Sequence, residues 1–272
     1  MDKKIIFCDI DGTIVDSRLG VMVPSEKTVA AFQELRKNHE VYICSGRTKT
    51  LLEPFILDLP VNGYVLANGG LAEIDGKYIG KHAFTDREGD AIRGYILQNG
   101  GMYLFEHAEY LDIADRNNRE FRNFYEFWGP LKYADIREED LGDECYVAIC
   151  GFEDMSGVEA FVKTFGKDFD VKPHRGIPSL DINPKGISKA TGMEDILTYL
   201  GKKREDTIAF GDASNDLEMI EYAGLGIAMG NASEDVKKRA DRVCGSVDED
   251  GFYYACVELG LIDDLFTKNV IS

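Results

Sequence analysis

The chain has 272 residues, of which 44% are hydrophobic, 11% aromatic and 29% charged. We therefore expect one domain with a large insertion, or two domains, and the composition excludes a disordered or fibrous protein. Forty-nine Asp and Glu against 31 Lys and Arg give a formal net charge of −18. Such a surface repels phosphate backbones and anionic lipid, which argues against nucleic acid and membrane as partners.

The six cysteines form no C-x-x-C pair, and Cys8 and Cys44 lie in apolar runs. This pattern predicts reduced thiols that pack as small hydrophobic groups. The first residues lead directly into a strand-like run, and no apolar stretch approaches the roughly 20 residues of a membrane span. A cytoplasmic protein is the expected result.

Strand-like and helix-like patterns alternate in the first part of the chain. In order they predict a strand at 4–10, a helix with apolar residues at helical spacing (Val29, Phe32, Leu35), a strand at 41–46, a second helix (Leu51, Leu52, Phe55, Ile56) and a strand at 63–70. The alternation resumes late, with strands at 207–212, 224–231 and 241–246 and helices at 214–224 and 233–241. Strand, helix, strand predicts right-handed parallel crossovers and one doubly wound sheet.

The middle of the chain has a different order of elements. It predicts a helix, strands at 102–106 and 110–115, an aromatic-rich helix at 121–128, a strand at 146–152, a helix, and strands at 169–174 and 179–183. Helices and paired strands in this order are typical of an α+β unit. The prediction is an α/β fold with a Rossmann-like parallel-sheet core at 1–83 and 185–272, and an inserted α+β cap at 84–184.

Small and polar residues follow four of the predicted core strands, and open parallel sheets bind ligands at that edge. They are Asp9 to Thr13, Ser45 to Arg47, Asn68 to Gly70, and Gly211 to Asp216. We expect these four strand ends to share one rim.

Two acidic groups occur at this rim, Asp9 with Asp11 and Asp212 with Asp216. An oxygen-only ligand set favours magnesium. A turn at Asp11 and helix capping near Asp216 would explain each group separately. Neither explanation accounts for two acidic clusters at one edge, where each raises the electrostatic cost of the other unless a cation lies between them.

Ser45 and Gly46 offer a hydroxyl and backbone N–H groups that could bind an anion, although Ser45 could equally be a helix cap. Lys185 and Lys189 lie beside the predicted return to the core, and either could neutralise phosphate charge. A solvated lysine at a helix end is the alternative for both.

Four motifs occur in order: D-I-D-G-T at 9–13, C-S-G-R at 44–47, G-I-S-K at 186–189 and G-D-A-S-N-D at 211–216. Together they resemble the haloacid dehalogenase superfamily of phosphohydrolases, and its Cof-type branch in particular. The segment 223–251 also resembles that branch. The likeness therefore extends over both core segments.

The resemblance implies a role for each matching residue. Asp9 would be the nucleophile and Asp11 the general acid and base. The Asp9 carboxylate, the Asp11 backbone carbonyl and Asp212 would hold Mg²⁺, with Asp216 in or just behind that shell.

For the phosphoryl group, the same resemblance implies a hydrogen bond from Ser45 and charge compensation by Lys189. Gly46 would contribute at the same strand end, and Thr13 and Asn215 would orient the site. The G-x-S-K spacing favours Lys189 over Lys185 as the catalytic lysine.

The insertion resembles the large α/β cap of this branch, so substrate specificity should lie there. His174, Arg175 and Ser179 are candidates for binding the substrate, although each could be part of a solvated surface. Helical spacing assigns Phe121, Tyr125 and Trp128 to the core of the cap, with an interface as the alternative.

Three functions remain open from the sequence. The first is a magnesium-dependent phosphatase of small phosphorylated metabolites, such as sugar phosphates. The second is a sugar phosphomutase, which would use the same acidic pair. The third is a non-catalytic metabolite-binding regulator, which would leave the set of acidic residues unexplained.

Overall fold

The computed structural model describes residues 3–127, 131, 134–138, 144–174 and 176–266. These residues form two β-sheets, one of eight strands and one of six. Within them, no helix is both long and apolar enough to cross a membrane.

The strands and helices are numbered along the chain. The strands are β1 (Ile5–Asp9), β2 (Glu40–Cys44), β3 (Gly63–Leu66), β4 (Leu71–Ile74), β5 (Lys77–Lys81), β6 (Met102–Glu106), β7 (Leu111–Ile113), β8 (Ile136–Arg137), β9 (Val147–Gly151), β10 (Asp170–Pro173), β11 (Ser179–Asn183), β12 (Thr207–Gly211), β13 (Leu225–Ala228) and β14 (Arg242–Val243). The helices are α1 (Glu26–Asn38), α2 (Pro54–Leu57), α3 (Asp86–Gln98), α4 (Arg119–Phe127), α5 (Met155–Phe165), α6 (Lys189–Leu200), α7 (Leu217–Tyr222), α8 (Glu234–Arg239) and α9 (Gly251–Glu258).

The larger sheet has the strand order β14-β13-β12-β1-β2-β3-β4-β5. Every pair from β14 to β3 is parallel, and β4 and β5 extend the sheet as antiparallel strands. The predicted parallel-sheet α/β core is therefore confirmed. The antiparallel β4–β5 hairpin was not part of the prediction.

Helix α1 shows how local sequence sets an element of this core. It begins after Ser25, whose side chain accepts a hydrogen bond from the Thr28 N–H, and its last turn contains Arg36 and Lys37. Both features stabilise a helix, because they satisfy a free N–H at the start and place positive charge at the end. The inward face then buries Phe32.

Helices cover both faces of the larger sheet. On one face Phe32 of α1 stacks on Phe252 of α9 with ring centroids 5.1 Å apart. On the other face Ile196 of α6 and Met219 of α7 pack with Tyr42 of β2 in a second buried cluster. Burying each such side chain contributes about 1.5–3 kcal/mol. This packing fixes the sheet, and with it the positions of the strand ends.

The register of the parallel strands places the motif residues together. In β1, Cys8 is opposite Phe210 of β12, and Asp9 is opposite Cys44 of β2. Ser45 and Asp212 follow shortly after those two neighbouring strands end. The three motifs therefore meet at the carboxyl edge of the sheet.

The smaller sheet has the order β10-β11-β9-β6-β7-β8, and its pairs are antiparallel except β7 with β8. Ile92 of α3 and Phe161 of α5 cover its outer face. Val147 and Ile149 on its inner face belong to a buried cluster that also includes core residues such as Leu51. All six strands lie inside the predicted cap at 84–184, whose exact boundaries remain a prediction.

Two local predictions were wrong in part. The second helix, predicted around Leu51 to Ile56, is only a short turn followed by the four-residue α2, because Pro54 must begin a helix rather than continue one. Phe121 is buried as predicted, but Tyr125 is 42% exposed, and Trp128 lies outside the described residues. The six cysteines are all free, as predicted, and five are buried.

Candidate active site

Asp9 is the last residue of β1 and is 5% exposed. The tight turn that follows brings Gly12 against Asp212: a Cβ on Gly12 would lie 2.1 Å from Asp212 Oδ2. Gly12 also has a φ of +91°, in the left-handed region that favours glycine. Glycine is therefore needed here for the two acidic motifs to approach each other.

The second acidic motif follows β12. Asp216 Oδ2 accepts hydrogen bonds from the backbone N–H groups of Asp212 and Ala213, each at 3.0 Å. The Asp216 side chain is fully buried. Asp216 thus holds the loop in shape with one oxygen and leaves Oδ1 for another partner.

That partner is Lys189, the first residue of α6. Its buried ammonium donates to Asp9 Oδ1 at 2.5 Å and to Asp216 Oδ1 at 2.6 Å. Burial lowers the pKa of Lys189, but the charges of Asp216 and Asp9 outweigh it and raise the pKa above its ordinary value. Lys189 therefore stays positively charged and joins the first, third and fourth motifs.

Lys185 lies elsewhere. Its exposed side chain donates to Asp170 Oδ1 at 2.7 Å. The geometry therefore favours Lys189, the choice made from the motif spacing, although its catalytic role remains a prediction.

Asp9, Asp212 and Asp216 each offer a carboxylate oxygen within 4.8 Å of the others. Asp212 Oδ1 is buried without a hydrogen-bond partner among the described residues. Oxygen-only ligands and an unpartnered buried oxygen fit a hard divalent cation.

Burial and the charge of Asp216 raise the pKa of Asp9, against the opposing effect of Lys189. Burial and Asp216 likewise raise the pKa of Asp212 to about 7, although Arg18 opposes this. A cation among these oxygens would favour their charged forms.

The side chain of Asp11 is not part of this cluster, although it lines the same cavity as Asp9. It is 71% exposed, and its Oδ2 accepts a hydrogen bond from Arg47 at 2.7 Å. Arg47 is 9% exposed and also donates to Glu53 at 2.8 Å. The Asp11 carboxylate is therefore not one of the clustered oxygens, so a part for Asp11 in metal binding rests on its backbone carbonyl, as the resemblance implied.

The predicted phosphate-binding residues lie around the same strand ends. Ser45 is buried, and its Oγ accepts a hydrogen bond from the Arg47 N–H at 3.1 Å. Thr13 is also buried, and its hydroxyl has no partner in the described part of the chain. Asn215 donates to Asn68 at 3.3 Å. Each of these side chains therefore lies at a strand end that follows one of the motif-bearing strands.

A cavity of about 450 Å³ lies between the two sheets. Core residues on its wall include the site residues Asp9, Asp11, Gly46, Arg47, Asn68 and Asn215. Residues from 84–184 on its wall include Glu106, Val147, Ile149, Lys172, His174 and Asp181. The motif residues therefore face a space that the smaller sheet covers.

His174 is the cap candidate that the structure brings to this cavity. Its imidazole contacts Ser179 Oγ at 2.7 Å and Asp181 Oδ1 at 2.9 Å. Ser179 is buried beside His174 and is not on the wall of this cavity, and Arg175 lies outside the described residues. Burial opposes protonation of His174, but the hydrogen bond and charge of Asp181 raise its pKa.

Five residues on the cavity wall had no predicted role: Arg47, Asn68, Glu106, Lys172 and Asp181. Arg47 and Asn68 were visible as parts of the polar strand ends, so their position was a usable signal. Of the other three, Glu106 ends an apolar run in β6, and Lys172 and Asp181 alternate with apolar residues in β10 and β11. The sequence marks these three residues only as polar positions on apolar strands, and this pattern does not show which residue or ligand each of them contacts.

Comparison with known proteins supports the resemblance. A family model described as haloacid dehalogenase-like hydrolase matches residues 6–256. YkrA of Bacillus subtilis (strain 168) is 35% identical over 272 residues, covering 96% of this chain and 100% of YkrA. YitU of the same organism, named 5-amino-6-(5-phospho-D-ribitylamino)uracil phosphatase, is 49% identical over 271 residues, covering 91% of this chain and 94% of YitU.

Among solved structures, the HAD subclass IIB sugar phosphatase BT4131 has a TM-score of 0.79 at 26% identity, covering 96% of this chain and 100% of that one. A parallel α/β core with acidic strand ends beneath a second sheet defines a hydrolase of the haloacid dehalogenase type. The chain belongs to this family. Within it, the chain is a Cof-type phosphatase, an enzyme that hydrolyses phosphoric monoesters.

Proposed function

We propose that the protein is a magnesium-dependent phosphatase of small phosphorylated metabolites that works through an aspartyl-phosphate on Asp9. The observation that supports this most directly is the buried ion cluster in which Lys189 joins Asp9 to Asp216 at the edge of the cavity. Burying three charges is costly, and packing alone does not require it. A site for a phosphoryl group and a cation accounts for the arrangement.

The Asp9 and Asp212 carboxylates and the Asp11 backbone carbonyl would hold Mg²⁺, with Asp216 in or just behind them. When bound, the ion would supply positive charge that keeps these carboxylates ionised and stabilises charge on the phosphoryl oxygens. The chain itself supplies no other buried cation than Lys189 to this cluster within its described residues.

The reaction would proceed in two displacements at phosphorus. An oxygen of Asp9 forms a bond to phosphorus while the bond to the leaving oxygen breaks, and Asp11 gives that oxygen a proton. Asp11 then takes a proton from water, whose oxygen bonds to phosphorus and releases Asp9. The products are the free alcohol and inorganic phosphate.

The remaining motif residues would position the phosphoryl group. Ser45 and the backbone at Gly46 would donate hydrogen bonds to its oxygens, and Lys189 would offset its charge. Thr13 and Asn215 would orient the surrounding groups. The hydroxyl of buried Thr13, which has no hydrogen-bond partner among the residues that the structure describes, is available for this purpose.

For the substrate, we propose a sugar phosphate or a related polyol phosphate. YitU is named for a phosphorylated ribitylamino compound and BT4131 is called a sugar phosphatase. A cavity of about 450 Å³ suits a ligand of that size. Residues 84–184 would form the cap over this cavity, and residues 1–83 and 185–272 would form the catalytic core.

The protein would act in the cytoplasm. Its free thiols are consistent with that reducing compartment.

The test is phosphate release from a panel of sugar, polyol and nucleoside monophosphates, with Mg²⁺ or with a chelator. We expect Mg²⁺-dependent release by the wild type, and its loss in Asp9→Asn, which keeps the size of the side chain but removes the nucleophile. Release that persists in Asp9→Asn would contradict the mechanism. An isomerised sugar phosphate in place of inorganic phosphate would instead indicate a mutase.

A further inference from the structure

Glu106 joins the two parts of the molecule inside the cavity. It is the last residue of β6 and is 1% exposed. Its Oε2 accepts hydrogen bonds from both the backbone N–H and the hydroxyl of Thr48, each at 2.9 Å. Thr48 directly follows the C-S-G-R motif. A cap carboxyl group is therefore fastened to the catalytic loop.

The second oxygen of Glu106, Oε1, has no hydrogen-bond partner among the described residues, and Glu106 lies on the cavity wall. The charged groups that act on it are Asp181 and Arg47, and the Cys145 thiol lies nearby. Burial raises the pKa of Glu106 to about 8, although the Thr48 hydrogen bonds oppose this. Thr48 uses only Oε2, so the other side-chain oxygen of Glu106 is left for a second partner.

The strand register shows what lies between Glu106 and the other cap carboxylate. Glu106 is opposite Val147, and Ile149, two residues along β9, is opposite Asp181 of β11. Residues two apart share a face, so Val147 and Ile149 form an apolar floor between two carboxyl groups. Strands β6 and β11 flank β9, which separates the two carboxyl-bearing strands by about 10 Å.

This surface fits a leaving group with a carbon chain or ring of about five carbons and several hydroxyls. Its carbons would rest on Val147 and Ile149, and its hydroxyls would reach the carboxyl groups at either side. A purely apolar chain would leave Glu106 Oε1 without a partner in a dry site, which is unfavourable. The chemistry of the wall thus favours polyols over alkyl chains.

Building on the proposed phosphatase function, we propose that Glu106 is a specificity-determining residue, which binds a leaving-group hydroxyl through Oε1 while Oε2 holds Thr48. Thr48 is bonded in sequence to Arg47, whose guanidinium holds Asp11. A hydroxyl bound at Glu106 is therefore held at a fixed position with respect to Asp11, the residue that would protonate the leaving oxygen. Glu106 would select the substrate and position it without taking part in the chemistry.

The test compares two substrates of matched chain length, ribitol 5-phosphate and pentyl phosphate, which differ in hydroxyls. The measured quantity is the ratio of their kcat/KM values. For the wild type we expect a ratio of about ten or more in favour of ribitol 5-phosphate, because an unpaired buried polar group costs that much or more. A ratio near one would overturn the proposal.

Three variants assign the preference to Glu106. Glu106→Leu should lower the ratio about tenfold, mainly through KM for ribitol 5-phosphate, and Glu106→Gln should restore most of it because an amide also binds hydroxyls. Glu109→Leu is the matched control, because Glu109 is exposed and accepts a hydrogen bond from the Tyr78 hydroxyl rather than from Thr48. An active Glu106→Leu enzyme with the wild-type ratio would refute the assignment, as would an equal change in Glu109→Leu.

The design separates this inference from the proposed function. If the wild type hydrolyses neither substrate nor any member of the wider panel, the proposed function fails. If it hydrolyses both at equal efficiency, only the role of Glu106 fails. Should Glu106→Leu not fold, as judged by circular dichroism, Glu106→Ala takes its place in the same assay, because the smaller side chain lets water reach Thr48. A folded, active Glu106→Ala enzyme with the wild-type ratio would refute the assignment, and a ratio near one would support it.

Discussion

Replacing Lys189 by Met tests the cluster at the centre of the site. The unbranched Met side chain keeps most of the volume but removes the ammonium that lies 2.5 Å from Asp9 and 2.6 Å from Asp216. All three side chains are buried, so two carboxylates lose their compensating charge. Breaking a buried ion pair in this way costs about 3–5 kcal/mol.

For a chain of this size each kcal/mol lowers Tm by roughly 2–4 °C, so we expect a fall on the order of 10 °C in Lys189→Met. Phosphatase activity should fall by about 10²–10³-fold, the usual cost of losing one group that stabilises transition-state charge. Differential scanning calorimetry and phosphate release measure the two effects.

Lys185→Met is the matched control, four residues earlier. The Lys185 side chain is 55% exposed and its ion pair with Asp170 is at the surface, so the loss should be below about 1 kcal/mol. Activity should stay close to wild type. A Lys189→Met protein with unchanged Tm and activity would refute the reasoning, and greater damage in Lys185→Met would move the catalytic role to Lys185.

Three further predictions concern turn geometry, pH and the core. Gly12→Ala should destabilise by about 1–3 kcal/mol in urea unfolding, because its Cβ would clash with Asp212 at a φ of +91°. The folded-state pKa of Glu106, about 8, lies above its ordinary 4.5, so the unfolded chain binds fewer protons between these values and stability falls as pH rises. The urea concentration at the unfolding midpoint should therefore fall between pH 5 and pH 8 in the wild type, and it should fall less in Glu106→Gln, which has no carboxyl group to titrate. An equal fall in the two proteins would contradict this. Phe32→Ala should lower the free energy of unfolding by about 3–5 kcal/mol, because Phe32 is fully buried against Phe252. Its Tm should therefore fall more than that of Gly12→Ala, and a smaller fall would contradict the prediction.

The core fold could be predicted because its signals are local and repeated. Each central strand is a short apolar run that ends in small or polar residues, and parallel pairing brings all such ends to one edge. Asp9, Ser45 and Asp212 could therefore be placed together before any contact was known. The register of β1 with its two neighbours bears out that placement.

The β4–β5 hairpin was missed although its turn has a recognisable signal. Asp75 and Gly76 both have positive φ, 48° and 78°, as a two-residue hairpin turn requires. The Asp-Gly pair was present in the sequence, but its flanking strands are short and lack a clear alternation. The pattern of apolar residues therefore did not indicate two strands on either side of this turn.

Contacts between distant segments could not be predicted in the same way. Arg47 binds Asp11 across 36 residues, and Glu106 binds Thr48 across 58. Neither pair is marked by spacing, because the partners meet only after the sheet and the cap have packed. The sequence motifs could place Asp9, Ser45, Lys189 and Asp212, but they could not show which distant side chain each residue contacts.

The long-range ion pairs leave little free positive charge at the site for a phosphate ester. The net charge of −18 opposes a phosphate ester at a distance, so attraction must arise locally. Lys189 is paired with two carboxylates, and Arg47 is paired with Asp11 and Glu53. These partners hold each cation in place but also neutralise its positive charge. With its carboxylates ionised, the cluster of Asp9, Asp212 and Asp216 remains net negative even with Lys189, so a bound divalent cation would supply the positive charge that attracts phosphate. The charge balance and the ligand geometry of the site therefore both favour a divalent cation, in line with the proposed magnesium dependence.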